Sequence, residues 1–417
     1  MLNFWVAALL LRVFLAAIPG GNPFDQSCFK AWGVEMLRSG PALFYAHCHQ
    51  TIVCDYPPLY VYALGAWAWL YHLFDPTLLG LGKTQLLAMS PPMNFWFKLP
   101  GAFADLVNGW LIMRLLTPWV GEEKARFGAK LYLFNPLFLY DSVYWGQIDT
   151  LLGTFMLLAC WALWQGRLIK AASLGALGVL LKPQGLFLLP FALSTQWYRR
   201  HGLRWIVALA TGFLVAFIVL RPFWPGGSLL STFTRFYTLM TRTAAGYPYN
   251  SMLAFSAPSL FGMKLDDGLL VLGLPLRVLS LIVLGLVQAG FAIALYQRRD
   301  PRSFYLGAAL SVGACFLFAT RMHERYVIPA LILMTIVAVL DPRIKRLYWV
   351  LCVTDILNLI YAQDPHVTAF FDSFGMYRLF VSINLASFAL LTWKLFRDPE
   401  VAAAEENQAE GRQVCSV

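Results

Sequence analysis

Five short polar segments interrupt an otherwise apolar chain, and their side chains form a coherent chemical set. Two are acidic, Asn22-Pro23-Phe24-Asp25 and Asp55-Tyr56-Pro57-Pro58-Leu59. Three mix cations, amides and aromatics: Tyr144-Trp145-Gly146-Gln147-Ile148-Asp149, Lys182-Pro183-Gln184 and Arg321-Met322-His323-Glu324-Arg325. A carboxylate can take the proton of an attacking hydroxyl. Lys and Arg can hold a phosphate through charge-assisted hydrogen bonds. Gln147 and Asp149 offer partners to sugar hydroxyls, and Trp145 offers a stacking face. Ionisable groups kept at the rim of a membrane domain are costly and mark functional sites.

Each residue also has a plainer explanation. Asp25, just after Pro23, suits the first turn of an amphipathic helix, where capping alone would account for it. Asp55 precedes a Pro-Pro pair that forces an extended entry, so it too reads as a cap for the next helix. A lone Lys or Arg at an interface is ordinarily a snorkelling anchor. What favours function is convergence of Lys182, Arg321 and Arg325 on the face that carries both acids.

That convergence depends on the spans. Hydrophobic residues make up 59% of the chain and charged ones 13%, against about a quarter charged in soluble domains. The chain therefore reads as an all-α, polytopic membrane protein. Its 417 residues accommodate about a dozen spans of roughly 20 residues. Candidate runs are 2–18, 93–114, 128–142, 149–166, 168–182, 183–197, 204–222, 268–295, 303–319, 326–340, 345–361 and 376–396. Residues 2–18 lack the basic start and cleavage site of a signal peptide. With the N-terminus inside, the clusters around Lys124, Arg167, Arg199, Arg298, Arg343 and Lys394 all fall on the cytoplasmic side. The net charge of +10 thus marks inner loops and not affinity for nucleic acid. The opposite side receives 19–92, Tyr144–Asp149, Lys182, 223–267, Arg321–Arg325 and 362–375. A thirteenth run, 58–74, would invert every later loop. Trp67, Trp69, Tyr71 and His72 crowd its end, so it reads as an interfacial helix within a long first extracytoplasmic loop. Residues 1–397 form one membrane domain, and 398–417 a disordered cytoplasmic tail.

Of seven cysteines, Cys160, Cys315 and Cys352 sit in apolar runs as small core residues. Cys28, Cys48 and Cys54 share a polar segment, where a Cys48–Cys54 disulfide could form in an oxidising compartment. His47-Cys48-His49 has no second ligand cluster, so it reads as a solvated loop and not a metal site.

Taken in order, Asp25, then Asp55-Tyr56-Pro57-Pro58-Leu59, then His323-Glu324-Arg325 before a span, resemble the GT-C superfamily of polyprenyl-phosphate-sugar glycosyltransferases. The spacing is similar to the endoplasmic-reticulum glucosyltransferases that extend dolichol-linked oligosaccharide, with Arg325 where those carry Lys. Trp145-Gly146-Gln147-Ile148-Asp149 and Leu181-Lys182-Pro183-Gln184 look like bacterial mannosyltransferase relatives. The resemblance reaches to about residue 340. It implies an inverting transfer of a hexose, mannose or glucose, to a glycan, lipid-linked or protein acceptor on the extracytoplasmic face. The membrane would be the bacterial inner membrane or, alternatively, that of the endoplasmic reticulum. It further implies Asp25 as general base and Lys182, Arg321 and Arg325 on the lipid phosphate, with His323 beside them. Asp55, Tyr56, Gln147, Asp149, Gln184 and Glu324 would shape the substrate site. Many such enzymes pair two acids in the first loop around Mn²⁺ or Mg²⁺. Here Gln26 and Ser27 follow Asp25, which argues against a divalent cation. The rival reading, a lipid or sugar-phosphate transporter, expects charges at mid-span and matching halves. Only Arg12, Asp105 and Asp355 lie there, and no repeat is visible.

Overall fold

Proline and glycine set the element boundaries. Proline stands in the first turn of seven of the helices described below, where its missing N–H goes unused. The computed structural model describes residues 2–48, 51–88, 90–199, 202–296 and 298–397. His49 and the tail 398–417 lie outside these residues.

The chain opens with α1 (Leu2–Ala17), α2 (Pro23–His47), α3 (Pro58–His72) and α4 (Lys83–Leu87). Then come α5 (Pro91–Leu133), α6 (Pro136–Leu139), α7 (Asp149–Trp164), α8 (Leu168–Leu181) and α9 (Leu189–Arg199). The second half holds α10 (Arg204–Leu220), α11 (Leu229–Ala245), α12 (Leu276–Leu295) and α13 (Pro301–Phe318). It closes with α14 (Ile328–Leu340), α15 (Lys345–Gln363), α16 (Pro365–Ser373) and α17 (Met376–Arg397).

Several boundaries differ from the sequence expectation. The run 128–142 is not one helix: α5 kinks at Gly121 (φ 76°) and ends at Leu133. Asn135 then caps α6, which widens into a broad turn over Tyr140–Trp145. The run 268–295 begins with a hairpin, β1 (Leu270–Val271) against β2 (Leu274–Pro275), so its helix starts only at Leu276. Among the described residues the chain is therefore helical with one short hairpin. Cys54 is a free thiol, so the Cys48–Cys54 bridge is not formed.

Among the described residues, Arg204–Phe223, Leu276–Leu295, Pro301–Phe318 and Met376–Arg397 are long and apolar enough to cross a membrane. Four shorter apolar helices accompany them: Asn3–Ala17, α7, α8 and α14. α13 and α14 are buried along almost their whole length, and α5 and α7 pack against them as the core. α10, α12 and α17 instead leave Phe213, Ile218, Leu286, Ile293 and Leu390 exposed. This is a membrane protein's surface, apolar outside as well as within.

Two contacts fix the frame of the site. In the core, Arg12 Nε donates to Asp105 Oδ2 at 2.9 Å, and both residues are fully buried. Tyr132 (2.8 Å) and Ser142 (2.6 Å) donate to the same carboxylate, which ties α1, α5 and the 140–145 turn together. Two of the three mid-span charges are thus a structural pair. At the other level, Trp67 of α3 and Trp96 of α5 stack at 5.2 Å and exchange indole-to-carbonyl hydrogen bonds. The latter half of α3 thus lies beside the first turns of α5.

Candidate active site

Capping explains neither acid. α2 is capped by Asn22, whose Oδ1 accepts from the backbone N–H groups of Phe24 and Asp25. Asp25 is thereby released for other work. α3 starts at Pro58 with Pro57 as its cap and no side-chain cap bond, so Asp55 caps nothing, contrary to the sequence expectation. The Asp55 carboxylate instead accepts from the Tyr247 hydroxyl at 3.3 Å.

Asp25 is held from one side. Trp145 Nε1 donates to its Oδ2 at 2.9 Å, and Gln147 Nε2 donates to the same oxygen at 2.5 Å. Both donors come from the turn after α6, where Gly146 adopts φ 87°. A side chain at Gly146 would also meet Lys98 Cγ at 2.9 Å, so glycine is required twice over. Among the described residues Oδ1 of Asp25 has no hydrogen-bond partner, and the residue lines a cleft of about 1370 Å³.

That cleft brings together Asp25, Asp55, Tyr56, Trp145, Lys182, Gln184, Arg321, His323, Glu324 and Arg325. Gln147 and Asp149 stand behind its wall, both buried. Trp145, Lys182 with its partner Asp149, and Arg321 do other work than the sequence suggested. Trp145 is almost fully buried, and the Arg325 guanidinium sits 5.2 Å from its ring, so it offers no open stacking face. Lys182 Nζ donates to both oxygens of buried Asp149 at 2.7 Å. Arg321 pairs with Asp267 at 2.6 Å and also donates to Ala244 O. Its strained φ of 65° is held by a backbone bond from its N–H to Tyr249 O.

Arg325 is the most engaged cation. Nη1 donates to Glu324 Oε1 at 2.5 Å, while Nε, 3.6 Å from Asp149, makes no hydrogen bond. Burial alone would push the Glu324 carboxyl up, but Arg325 and then His323 override it and hold it down at about 2. Glu324 is thus a fixed anion and no proton carrier near neutral pH. Burial has the upper hand at Asp55, whose carboxyl is raised despite Tyr247 and His323. Burial and then Asp55 push the Tyr247 hydroxyl up to about 12, so it stays a donor.

Sequence reasoning gave no role to Asn22, Tyr247, Arg235, Arg242 and Lys264, although all five line the cleft. The seven-residue spacing of Arg235 and Arg242 in an amphipathic stretch was the available signal. Among the described residues no group of three or more His, Cys, Asp or Glu is placed to hold a metal ion.

No curated protein matches the chain. The crystal structure of ArnT from Cupriavidus metallidurans bound to undecaprenyl phosphate is similar at a TM-score of 0.49 and 16% identity, covering 96% of this chain and 78% of that one. The apo state of ArnT gives 0.47 and 16%, with 95% and 74% covered. The model of glycosyltransferase family 87 matches residues 56–320, which include Trp145, Gln147, Asp149, Lys182 and Gln184 but neither Asp25 nor His323–Arg325. With that match spanning more than half of its length, the chain belongs to glycosyltransferase family 87 and is a membrane glycosyltransferase.

Proposed function

We propose that the protein transfers a hexose, mannose or glucose, from a polyprenyl-phosphate donor to an acceptor hydroxyl, with inversion, on the extracytoplasmic face of the bacterial inner membrane. The observation that carries this reading is Asp25: free of capping, gripped through Oδ2 by Trp145 and Gln147, with Oδ1 left for the cleft. A base must lie within hydrogen-bond reach of the proton it takes. Oδ1 accepts the acceptor's hydroxyl proton while that oxygen bonds to the anomeric carbon. The bond from that carbon to the phosphate breaks on the opposite face, and the lipid phosphate leaves with the electron pair. Arg325, its guanidinium over the indole that holds Asp25, lines the cleft beside that acid and is the cation we assign to the charge that develops on the phosphate.

Twelve spans with α3 lying on the outer surface supply the topology. The Trp67–Trp96 pair supports it, because α3 then stays beside the outer end of α5. Among the described residues the hydrogen-bond partners of Asp25 are Trp145 and Gln147, neither of them an acid, which favours a reaction without a divalent cation.

Asp25→Asn tests the assignment, since Asn22 keeps the cap in either case. The variant should fold and bind a short-chain polyprenyl-phosphate hexose. Its turnover should fall by ~10²–10⁴-fold, the usual effect of losing a general base. Full activity in the variant would remove Asp25 from the mechanism. Activity of the parent enzyme should persist in EDTA; loss restored by Mn²⁺ or Mg²⁺ would bring a metal into the site.

A further inference from the structure

The hairpin ahead of α12 holds its leucines where water would penalise them. From Gly268 to Leu276 the chain has no charged or polar side chain. Leu270 is 67% exposed and Leu272, at the tip, 91%; Leu269 and Leu274 are exposed as well. Leu272 and Gly273 are the two turn residues between β1 and β2, with φ of 52° and 80°. A two-residue turn of that handedness ordinarily takes Asn-Gly or Asp-Gly, because a bulky side chain is strained at positive φ. Leucine at the tip is thus costly twice, in backbone strain and in bare apolar surface, unless something apolar receives it.

The place of the hairpin in the chain says what receives it. α12 follows at once: the Leu276 N–H donates to Leu269 O at 2.8 Å, and the Arg277 N–H to Asp267 O at 2.9 Å. The 20 residues of α12 rise about 30 Å, enough to cross the hydrocarbon unaided. The hairpin is therefore surplus to the span and stands at its end, where bilayer meets water. Val278, Leu281 and Ile282, on the first turns of that span, continue the exposed apolar surface. The base of the hairpin is charged instead, with Asp267 between Arg277 (3.4 Å) and Arg321 (2.6 Å). Leu269 to Leu272 covers about 10 Å of strand, close to the roughly 5–10 Å that interfacial elements sink into a leaflet. Deeper burial is barred, because the outer edges of a two-stranded sheet are unpaired.

We infer that the hairpin tip seats in the lipid leaflet at which α12 begins, and that this seat steadies the wall of the cleft. The link is backbone hydrogen bonding. The Asn250 N–H donates to Leu265 O at 2.7 Å and the Asp267 N–H to Pro248 O at 3.0 Å, joining the hairpin base to residues 248–250. The Arg321 N–H donates to Tyr249 O at 3.0 Å and the Met252 N–H to Met322 O at 2.8 Å, joining the same segment to the cleft wall beside Glu324 and Arg325. The Arg321–Asp267 pair closes the loop through side chains. The tip thereby fixes the height of that wall against the lipid, whichever compartment the cleft faces.

Two measurements on the full-length protein in phosphatidylcholine vesicles test this. In the first, Leu272→Cys, in a chain otherwise cleared of reactive thiols, carries the fluorophore NBD. Its emission should be quenched by nitroxides on the lipid acyl chains and spared by iodide present on both sides of the vesicle. Quenching by iodide would leave the tip in water. Quenching by neither would set it against protein, such as a second copy of the chain, and either result overturns the lipid seat. In the second, Leu270→Asp with Leu272→Asp should speed amide exchange at Met252 and Arg321 by about tenfold or more, as local opening becomes easier. The Leu270→Met, Leu272→Met pair should keep exchange slow, separating loss of the seat from loss of the fold. Exchange unchanged by the aspartates would cut the tip off from the cleft wall and overturn the steadying role. If the aspartate pair does not fold, the fluorescence result still decides whether the tip meets lipid.

Discussion

Gln147 Nε2 donates to Asp25 Oδ2 at 2.5 Å across 122 residues of sequence. The amide thus orients the carboxylate and does not itself face the cleft, where only Trp145 of the pair has a surface. Gln147→Leu should lower kcat by roughly 10–100-fold, the equivalent of about 1.5–3 kcal/mol for a hydrogen bond to a charged group. Donor KM should stay put. A raised KM with unchanged kcat would instead return Gln147 to substrate binding.

Lys182 and Asp149 are a buried pair, so truncating one strands the other. Lys182→Ala should destabilise the fold by about 3–5 kcal/mol, read as a lower melting temperature in detergent. Lys182→Met combined with Asp149→Leu should recover much of that loss. If the single variant melts normally and only donor affinity falls, Lys182 is a phosphate ligand after all.

Glu324 makes a pH prediction. Its folded-state carboxyl is depressed from 4.5 to about 2. The stability it contributes is fully present above about pH 4.5 and is lost as pH falls through 2. That amounts to a few kcal/mol at ~1.4 per unit. Melting of the parent should therefore fall across this window. The Glu324→Gln variant should fall less steeply; equal slopes would mean that Arg325 does not hold the carboxyl.

The topology can be read directly. Cysteines placed at Gly80 and Ser373, in a chain otherwise cleared of reactive thiols, should both label from outside in sealed vesicles. A Gly80 site reached only from the cytoplasm would make α3 a span.

The fold class was legible because composition and twelve apolar runs dominate the sequence. Boundaries failed where local turn chemistry overruled hydropathy, at Asn135-Pro136 and in the hairpin before Leu276. The acids and cations of the cleft stood out as polar residues in apolar surroundings. Their pairing did not. Nothing local says that Asp149 neutralises Lys182, or that Asp267 takes Arg321, because ion pairs across 33 and 54 residues are set by packing. Asn22 was missed as a cap because Asp25, also in the first turn, is an equally good candidate by type.

The Arg12–Asp105 pair bears on how the chain is made. Arg12 lies in α1, while Asp105 follows 93 residues later in α5. Until then α1 carries an unmatched guanidinium, which costs about 2.5–3.5 kcal/mol during translocon-mediated insertion. α1 should therefore settle in the bilayer only once α5 has arrived and closed the pair. Asp105→Ala should leave α1 poorly inserted in the finished protein, whereas Arg12→Leu together with Asp105→Ala should insert it without delay.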